Sequence, residues 1–360
     1  MASSAAPASQ QGAVRDHGFH PLRVRRVVCE TPEAASFVFE VPADLRAAFT
    51  YEAGQFLTFR VRLDGEAHHR CYSMSSSPEV DDEMQVTVKR VPGGVVSNWM
   101  VETLAAGDVV EASVPAGVFC LAAREADLVA FSAGSGITPV FSLLKTALAT
   151  TGRRVRLYYA NRDRGSVIFR AELDDLAMRY PDRLEVVHHL DVDRGFVDAD
   201  ALHPFVGTAA DAEFYVCGPT PFMDIVEGAL LARGVDADRI HIERFTPAVP
   251  RPDPEPSAGD PAVDPGATTT RVTVELGGRA DTVDHREGTT ILQTARQMGM
   301  SPPYSCESGT CATCMAKLVE GTVKMHVNDV LTDDEVAEGW VLTCQSVPTA
   351  PSVHVTYEET

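Results

Sequence analysis

The spacing of apolar and polar positions changes along the chain, and each change marks a block. Between about residues 19 and 119, short runs alternate: Phe37-Val38-Phe39, Phe56-Leu57-Thr58-Phe59-Arg60-Val61 and Met84-Gln85-Val86-Thr87-Val88. Gly54 and Pro92-Gly93-Gly94 punctuate them, which predicts a small antiparallel barrel. From about 127 to 245 buried-looking runs replace the alternation. Leu128-Val129-Ala130-Phe131, Val155-Arg156-Leu157-Tyr158-Tyr159, Leu184-Glu185-Val186-Val187 and Glu213-Phe214-Tyr215-Val216 predict strands. Helices are predicted over 139–149, over 166–180 and after Pro221, so strands and helices alternate around a parallel sheet with right-handed crossovers.

Residues 247–269 are rich in proline, aspartate, glycine and alanine and have no apolar period, which predicts a solvated linker. Val272-Thr273-Val274-Glu275-Leu276 then predicts a strand, 291–298 a helix and 352–357 a last strand. Residues 1–18 are small and polar and predict a disordered tail, without the basic start and apolar run of a signal peptide. The expected fold class is multidomain: an antiparallel β-barrel over 19–123, an α/β parallel-sheet domain over 124–246, a linker over 247–269 and an α+β domain over 270–360.

Charge changes the picture. The formal net charge is −20, and residues 270–360 carry 13 acidic against 6 basic side chains. Such a balance excludes nucleic-acid binding as a leading function, because the phosphates would repel the chain. It leaves either a solvated surface or a negative docking face for a basic redox partner. No apolar stretch reaches transmembrane length, so no membrane is expected. Eight cysteines without a secretion signal argue for reduced thiols in a cytoplasm rather than a disulfide framework. The protein is expected to be cytoplasmic and monomeric.

Four of those cysteines carry the sharpest chemistry. Cys306, Cys311 and Cys314 are separated by four and then two residues, and 29 more residues lie before Cys344. That is the plant-type spacing of a 2Fe–2S cluster with four thiolate ligands. Gly309 supplies backbone freedom where the loop must curl around the inorganic core. A four-thiolate zinc site is the alternative, but it usually pairs two short knuckles, and here Cys344 stands alone.

In the first block, Arg70-Cys71-Tyr72-Ser73 offers a guanidinium fork for phosphate, a flat ring for stacking and a hydroxyl. Gly94-Val95-Val96-Ser97-Asn98 reads as a turn opening a helix at Ser97 or Asn98, either a plain cap or a pyrophosphate grip. In the second block, Ser132-Ala133-Gly134-Ser135-Gly136-Ile137-Thr138-Pro139 follows a strand and opens a helix. Its glycines permit close approach of a dinucleotide, although the full G-x-G-x-x-G pattern is missing. Cys217-Gly218-Pro219 ends a later strand, at the edge where open α/β sheets bind ligands.

In that order, R-x-Y-S, the G-x-x-S turn, A-G-S-G-I-T-P and C-G-P resemble the ferredoxin–NADP reductase superfamily. With a plant-type ferredoxin fused behind them, the chain resembles the oxygenase reductases. Those serving 3-ketosteroid 9-alpha-hydroxylation and phenylacetyl-CoA epoxidation are the nearest in pattern. Tyr159-Ala160-Asn161-Arg162, Val327-Asn328-Asp329-Val330-Leu331 and Cys344-Gln345-Ser346 extend the likeness over nearly everything from Pro21 onward.

The resemblance implies FAD, NADH and a 2Fe–2S cluster, with a β-grasp fold around the cluster. Arg70 would hold the FAD pyrophosphate, Tyr72 would stack on the isoalloxazine, and Ser73 would bond near the flavin nitrogen that accepts hydride. Gly94 and Ser97 would complete the phosphate grip. Gly134, Gly136, Thr138, Gly218 and Pro219 would line the nicotinamide dinucleotide, with Cys217 near its reactive carbon. Glu243 and Phe245 would close over the flavin, and Ser73, Cys217 and Glu243 would be the catalytic set. Glu307 departs from the family, where many relatives carry arginine beside the first cluster cysteine.

The activity implied is a two-to-one electron converter that passes electrons from NAD(P)H to a terminal oxygenase, expected to be a Rieske-type steroid or aromatic hydroxylase. A di-iron hydroxylase or epoxidase is the alternative partner. The resemblance favours NADH. Asp163 could bind a ribose diol, while Arg162 and Arg164 could equally grip a 2′-phosphate. Two rivals from other classes are a zinc interaction module fused to a flavin domain, and a flavin redox sensor whose cluster signals.

Overall fold

The computed structural model describes residues 18–206, 211–245 and 270–358. Residues 1–17 of the predicted tail and the predicted linker, 247–269, lie outside the described residues. Described residues 19–245 fall in one compact unit and 270–358 in another.

The first unit begins with the alternating block. β1 (Phe19–Thr31), β2 (Ala34–Glu40), β3 (Phe56–Leu63), β4 (Glu66–Ser73), β5 (Met84–Lys89) and β6 (Val109–Ser113) form one antiparallel sheet in the order β4-β3-β6-β1-β2-β5. An antiparallel bridge between Met74 and Val86 joins its two ends, so the sheet curls into a barrel. Period-2 alternation places Leu22, Val24, Phe37, Phe39, Leu57, Phe59, Val86 and Val88 inside, with Val110 and Ala112. α1 (Val95–Thr103) adds Val96 and Met100 to that interior.

The second block contributes β7 (Leu128–Ala133), β8 (Val155–Asn161), β9 (Leu184–Leu190), β10 (Glu213–Gly218) and β11 (Ile240–Arg244). All are parallel, in the order β11-β10-β7-β8-β9. α2 (Ile137–Thr150) and α3 (Arg170–Arg179) pack with one apolar cluster. The short α4 (Asp191–Arg194) follows β9, and α5 (Ala199–Val206) and α6 (Thr220–Leu231) pack with a second cluster. Apolar layers on both faces explain why these strands read as continuous runs.

The helix predicted over 166–180 starts late. Arg164–Ser166 is a 3₁₀ turn, and Phe169 lies in the left-handed region at φ 58° just before α3. A non-glycine residue there interrupts the helical path.

Barrel and sheet are joined by buried polar contacts. Ser142 Oγ donates to the Ser76 carbonyl at 2.5 Å, the hydroxyls of Ser77 and Thr146 are 2.7 Å apart, and Lys145 pairs with Asp81. Gly134 sits at the seam, where a Cβ would lie 3.5 Å from Lys89 Nζ at the end of β5. The glycine loop of the sheet therefore faces the barrel.

The C-terminal unit holds β12 (Arg271–Leu276), β13 (Arg279–Asp284), β14 (Met315–Glu320), β15 (Val323–Met325), β16 (Trp340–Leu342), β17 (Ser346–Pro348) and β18 (Ser352–Thr356). Its main sheet runs β13-β12-β18-β14-β16, with β12 and β18 parallel and the other neighbours antiparallel. β15 pairs with β17. α7 (Ile291–Gln297), opened by a Thr290–Gln293 capping box, buries Ile291 and Ala295 against the sheet. α8 (Asp333–Ala337) is opened by a second box, Thr332–Glu335. A mixed sheet crossed by one helix is the α+β arrangement expected for this block.

Candidate redox sites

β4 alternates its side chains, so Arg70 and Tyr72 share one face and Cys71 looks away. Arg70 Nη1 donates to the His69 carbonyl at 2.7 Å, and no carboxylate pairs with the guanidinium among the described residues. Tyr72 packs its ring 5.9 Å from that of Phe59, and burial pushes its phenol above the ordinary range. Ser73 is only 2% exposed, yet its Oγ has no hydrogen-bond partner. A buried hydroxyl left unpaired is costly, and a bound heteroatom would satisfy it.

α1 starts at Val95, two residues before the predicted opening at Ser97. The Ser97 hydroxyl does not cap the helix; its Oγ accepts the Val91 N–H at 3.2 Å and so closes the preceding turn. Gly94 has no space for a side chain, since a Cβ would stand 2.6 Å from Ser97 Oγ. No side chain caps α1, so its first N–H groups remain available to an anion. A guanidinium without a carboxylate partner, a flat ring, an orphaned hydroxyl and an uncapped helix on one barrel fit a flavin nucleotide.

The two glycine motifs of the sheet meet. A Cβ on Gly136 would stand 2.1 Å from the Cys217 carbonyl oxygen and 2.7 Å from the Gly218 nitrogen. Gly218 in turn is pressed against Ala133 and Phe222. Gly134 holds φ 54°, and its carbonyl accepts the Tyr159 hydroxyl at 3.1 Å. Thr138 Oγ1 donates to the Ser135 carbonyl at 3.0 Å, so this hydroxyl braces the loop. Pro219 is the residue that leads into α6.

In register, Cys217 stands between Ser132 on β7 and Glu243 on β11. Cys217 is fully buried, and burial, aided by the Glu243 charge, pushes its thiol well above the ordinary range and keeps it neutral. The Ser132 hydroxyl beside it is buried without a partner, a candidate that strand patterning could not single out. Phe245 packs half-buried against the α2 side of the core.

Asp163 already accepts two local hydrogen bonds. Its Oδ1 accepts the Ser166 N–H at 3.0 Å and its Oδ2 accepts Arg162 Nε at 2.8 Å, as part of a capping box. Arg162 also lies 3.8 Å from Glu33, so two carboxylates hold it. Arg164 opens the 3₁₀ turn after β8 and lines a small cavity with Arg170 and His188.

In the C-terminal unit the four thiols come as two pairs. Cys306 neighbours Cys311, and the Cys306 amide points at Cys311 Sγ at 3.5 Å. Cys314 lies close enough to Cys344, and also to Cys311, for both to raise its thiol. These contacts, ahead of burial, push the thiols of Cys306 and Cys314 up. Among the described residues, no group of three His, Cys, Asp or Glu side chains is placed to hold a single metal ion.

The loop is curled by left-handed residues at Glu307 (φ 51°), Gly309 (φ 86°) and Ala312 (φ 53°). It is pinned by Gln345 Nε2 to the Glu307 carbonyl at 2.8 Å and by Thr343 Oγ1 to the Cys314 carbonyl at 2.9 Å. Arg296 lies 3.8 Å from Glu307 and offsets part of the negative charge that the sequence adds there.

Comparison with known proteins finds a cofactor-binding domain over each of these three regions. Residues 21–120 match an oxidoreductase FAD-binding domain, 131–228 an oxidoreductase NAD-binding domain and 274–349 a 2Fe-2S iron-sulfur cluster binding domain. The ferredoxin reductase component of 3-ketosteroid-9-alpha-monooxygenase from Rhodococcus rhodochrous is 40% identical over 337 residues, 93% of this chain and 96% of that protein. This chain belongs to the oxygenase reductases. One component of the 1,2-phenylacetyl-CoA epoxidase from Escherichia coli is 35% identical over 357 residues, 94% of this chain and 98% of the relative. The solved phthalate dioxygenase reductase, with 26% identity and a TM-score of 0.56, covers 94% of this chain and 98% of its own. As in other oxygenase reductases, electrons pass from a nicotinamide nucleotide through FAD and the 2Fe–2S centre to a terminal oxygenase, and those cofactors supply the redox chemistry.

Proposed function

We propose that the chain is the soluble, cytoplasmic and monomeric reductase of a Rieske-type steroid or aromatic hydroxylase. The near full-length likeness to the steroid monooxygenase reductase carries this reading. The phenylacetyl-CoA epoxidase relative supports a second one, in which the acceptor is a di-iron enzyme. No helix of the described residues is long and apolar enough to cross a membrane.

In this reading Arg70 and the α1 amides hold the FAD pyrophosphate, and Tyr72 stacks on the ring. Ser73 gives its hydroxyl to the reactive edge. Gly134, Gly136, Gly218 and Pro219 shape the nicotinamide cleft, Thr138 braces it, and Cys217 presents a neutral thiol to the ring. Burial and the Glu243 charge keep that thiol protonated, and Phe245 covers the flavin. Cys306, Cys311, Cys314 and Cys344 ligate the cluster. The division runs 19–123, 124–246 and 270–360.

Reconstitution decides between the two acceptors. Purified reductase is combined with either a Rieske steroid hydroxylase or a di-iron epoxidase, and product formed per nicotinamide oxidised is measured. Coupled product with the Rieske enzyme supports the first reading, and coupling only with the di-iron enzyme replaces it.

A further inference from the structure

The core of the C-terminal unit holds a short chain of hydroxyls. Thr343 is fully buried, and its Oγ1 donates to the Cys314 carbonyl at 2.9 Å. The Tyr357 hydroxyl lies 2.6 Å from that same Oγ1. A threonine hydroxyl carries one proton, and a carbonyl oxygen can only accept. The Thr343 proton is therefore committed to Cys314, and Tyr357 must be the donor to Thr343. Both hydroxyls donate in one sense, from the phenol through Thr343 to the Cys314 carbonyl, which also accepts the Thr343 N–H at 3.2 Å.

The two ends of this chain are anchored in different parts of the fold. Tyr357 follows β18, where its N–H donates to the Glu275 carbonyl at 2.9 Å. Its ring packs with the apolar cluster of β12, α7 and β18. Thr343 directly precedes Cys344, and its carbonyl accepts the Leu292 N–H at 3.0 Å. Leu292, Cys314 and Cys344 share the other apolar cluster of the unit. The phenol thus ties the main sheet to the stretch carrying Cys344 and, through it, to Cys314.

The direction of donation has a consequence for electron transfer. Reduction adds negative charge at an iron–sulfur centre, and donor dipoles aimed toward it favour the reduced form. Hydrogen bonding around the ligands is one of the levers that set such potentials. In a buried chain each bond polarises the next, so a hydroxyl one step removed still contributes. Phenylalanine and valine would fill the same space without the cost of burying two hydroxyls.

We propose that Tyr357 is a positioning residue for the 2Fe–2S centre: acting through Thr343, it holds the Cys314 main chain and raises the reduction potential. This deepens the reductase reading and rests on its assignment of Cys314 and Cys344 as ligands.

The test is a redox titration of the holoprotein, followed by visible absorbance and by the paramagnetic signal of the reduced centre. Tyr357→Phe keeps the ring and should retain iron and sulfide in full. Its potential should fall, read as an equilibrium constant for reduction by a fixed mediator at least about twofold smaller, the lower end of what one hydrogen bond contributes. Thr343→Val should shift the potential the same way, and Thr343→Ser should hold the wild-type value. Adding Tyr357→Phe to Thr343→Val should shift it no further, because the phenol acts through the threonine. An unchanged potential in Tyr357→Phe, equal potentials in the two Thr343 variants, or additive shifts in the double variant overturns the proposal. If Tyr357→Phe fails to load, the serine and valine variants decide by themselves. All these outcomes leave the reductase reading standing. A wild-type protein that assembles no iron–sulfur centre would sink the ligand assignment instead.

Discussion

Gly136 and Cys217 touch backbone to backbone, at a point where one methyl group on Gly136 would stand 2.1 Å from the Cys217 carbonyl oxygen. The contact joins the glycine loop after β7 to the end of β10, so the floor of the proposed nicotinamide cleft is a single unit. Gly136→Ala must separate the two. The barrel is untouched, so FAD should stay bound. We expect the rate of flavin reduction by dinucleotide to fall more than about tenfold, in line with the sensitivity of catalysis to 1 Å misplacements. Stopped-flow bleaching of the flavin band reads this directly, and an unchanged rate would show that the close approach is incidental.

The assignment of Tyr72 is tested separately. Stacking on an aromatic ring contributes about 0.5–1.5 kcal/mol beyond burial, so Tyr72→Ala should weaken FAD binding by roughly two- to tenfold or more. Fluorescence titration of the apoprotein with FAD measures it. Full retention of FAD, with an unaltered flavin spectrum, would remove Tyr72 from the site.

Tyr215 offers a stability test away from the chemistry. Its hydroxyl accepts the Ala122 N–H at 2.7 Å and donates to the Cys120 carbonyl at 3.2 Å, tying the segment between barrel and sheet to β10. The side chain is fully buried. Tyr215→Phe keeps the ring but strands the amide, which should cost about 1–3 kcal/mol. Thermal melting of the loaded protein should show a lower midpoint, and an unchanged midpoint would mean that the segment finds another partner.

How much of this is legible in the sequence depends on the range of the interaction. The 2Fe–2S domain is readable because a cluster loop is marked by local cysteine spacing. Both sheets are readable because period-2 alternation marks the half-buried barrel strands and continuous apolar runs mark the doubly covered parallel strands. The start of α3 is not, because the left-handed conformation of Phe169 has no compositional mark. Asp163 reads as a ribose ligand, but Ser166 three residues on and Arg162 beside it claim its oxygens. Ser97 reads as opening a helix, but its hydroxyl turns back to Val91. The Arg164, Arg170 and His188 cavity joins a turn, a helix and a strand that pattern reading cannot bring together. Glu307 reads as added negative charge, but Arg296 lies 3.8 Å away.

The sites before and after residue 250 should fail independently. Cys311→Ala removes one of the four proposed ligands, so the iron–sulfur absorbance and paramagnetic signals should be lost. Flavin reduction and turnover with ferricyanide, a small one-electron acceptor, should persist, because Arg70, Tyr72, Gly136 and Cys217 are unaltered. Loss of flavin reduction in that variant, with FAD still bound, would contradict the independence of the two sites.

Salt dependence tests the acidic C-terminal unit. Residues 270–360 carry 13 acidic and 6 basic side chains, a net of −7. Asp333, Asp334 and Glu335 open α8, and Glu335 is buried in its capping box, so Asp333 and Asp334 carry the solvent-facing charge there. An acceptor with a basic face would be drawn to this field, and such steering weakens as the Debye length falls from about 10 Å at 0.1 M to about 3 Å at 1 M salt. Hydride delivery to the flavin in the proposed cleft depends on short, fixed contacts and should respond less. Raising ionic strength should therefore slow electron transfer to the oxygenase well before it slows flavin reduction. Stopped-flow traces of both steps across a salt series separate them. Equal slopes, or faster oxygenase reduction at high salt, would mean that the acidic residues serve solubility and not docking.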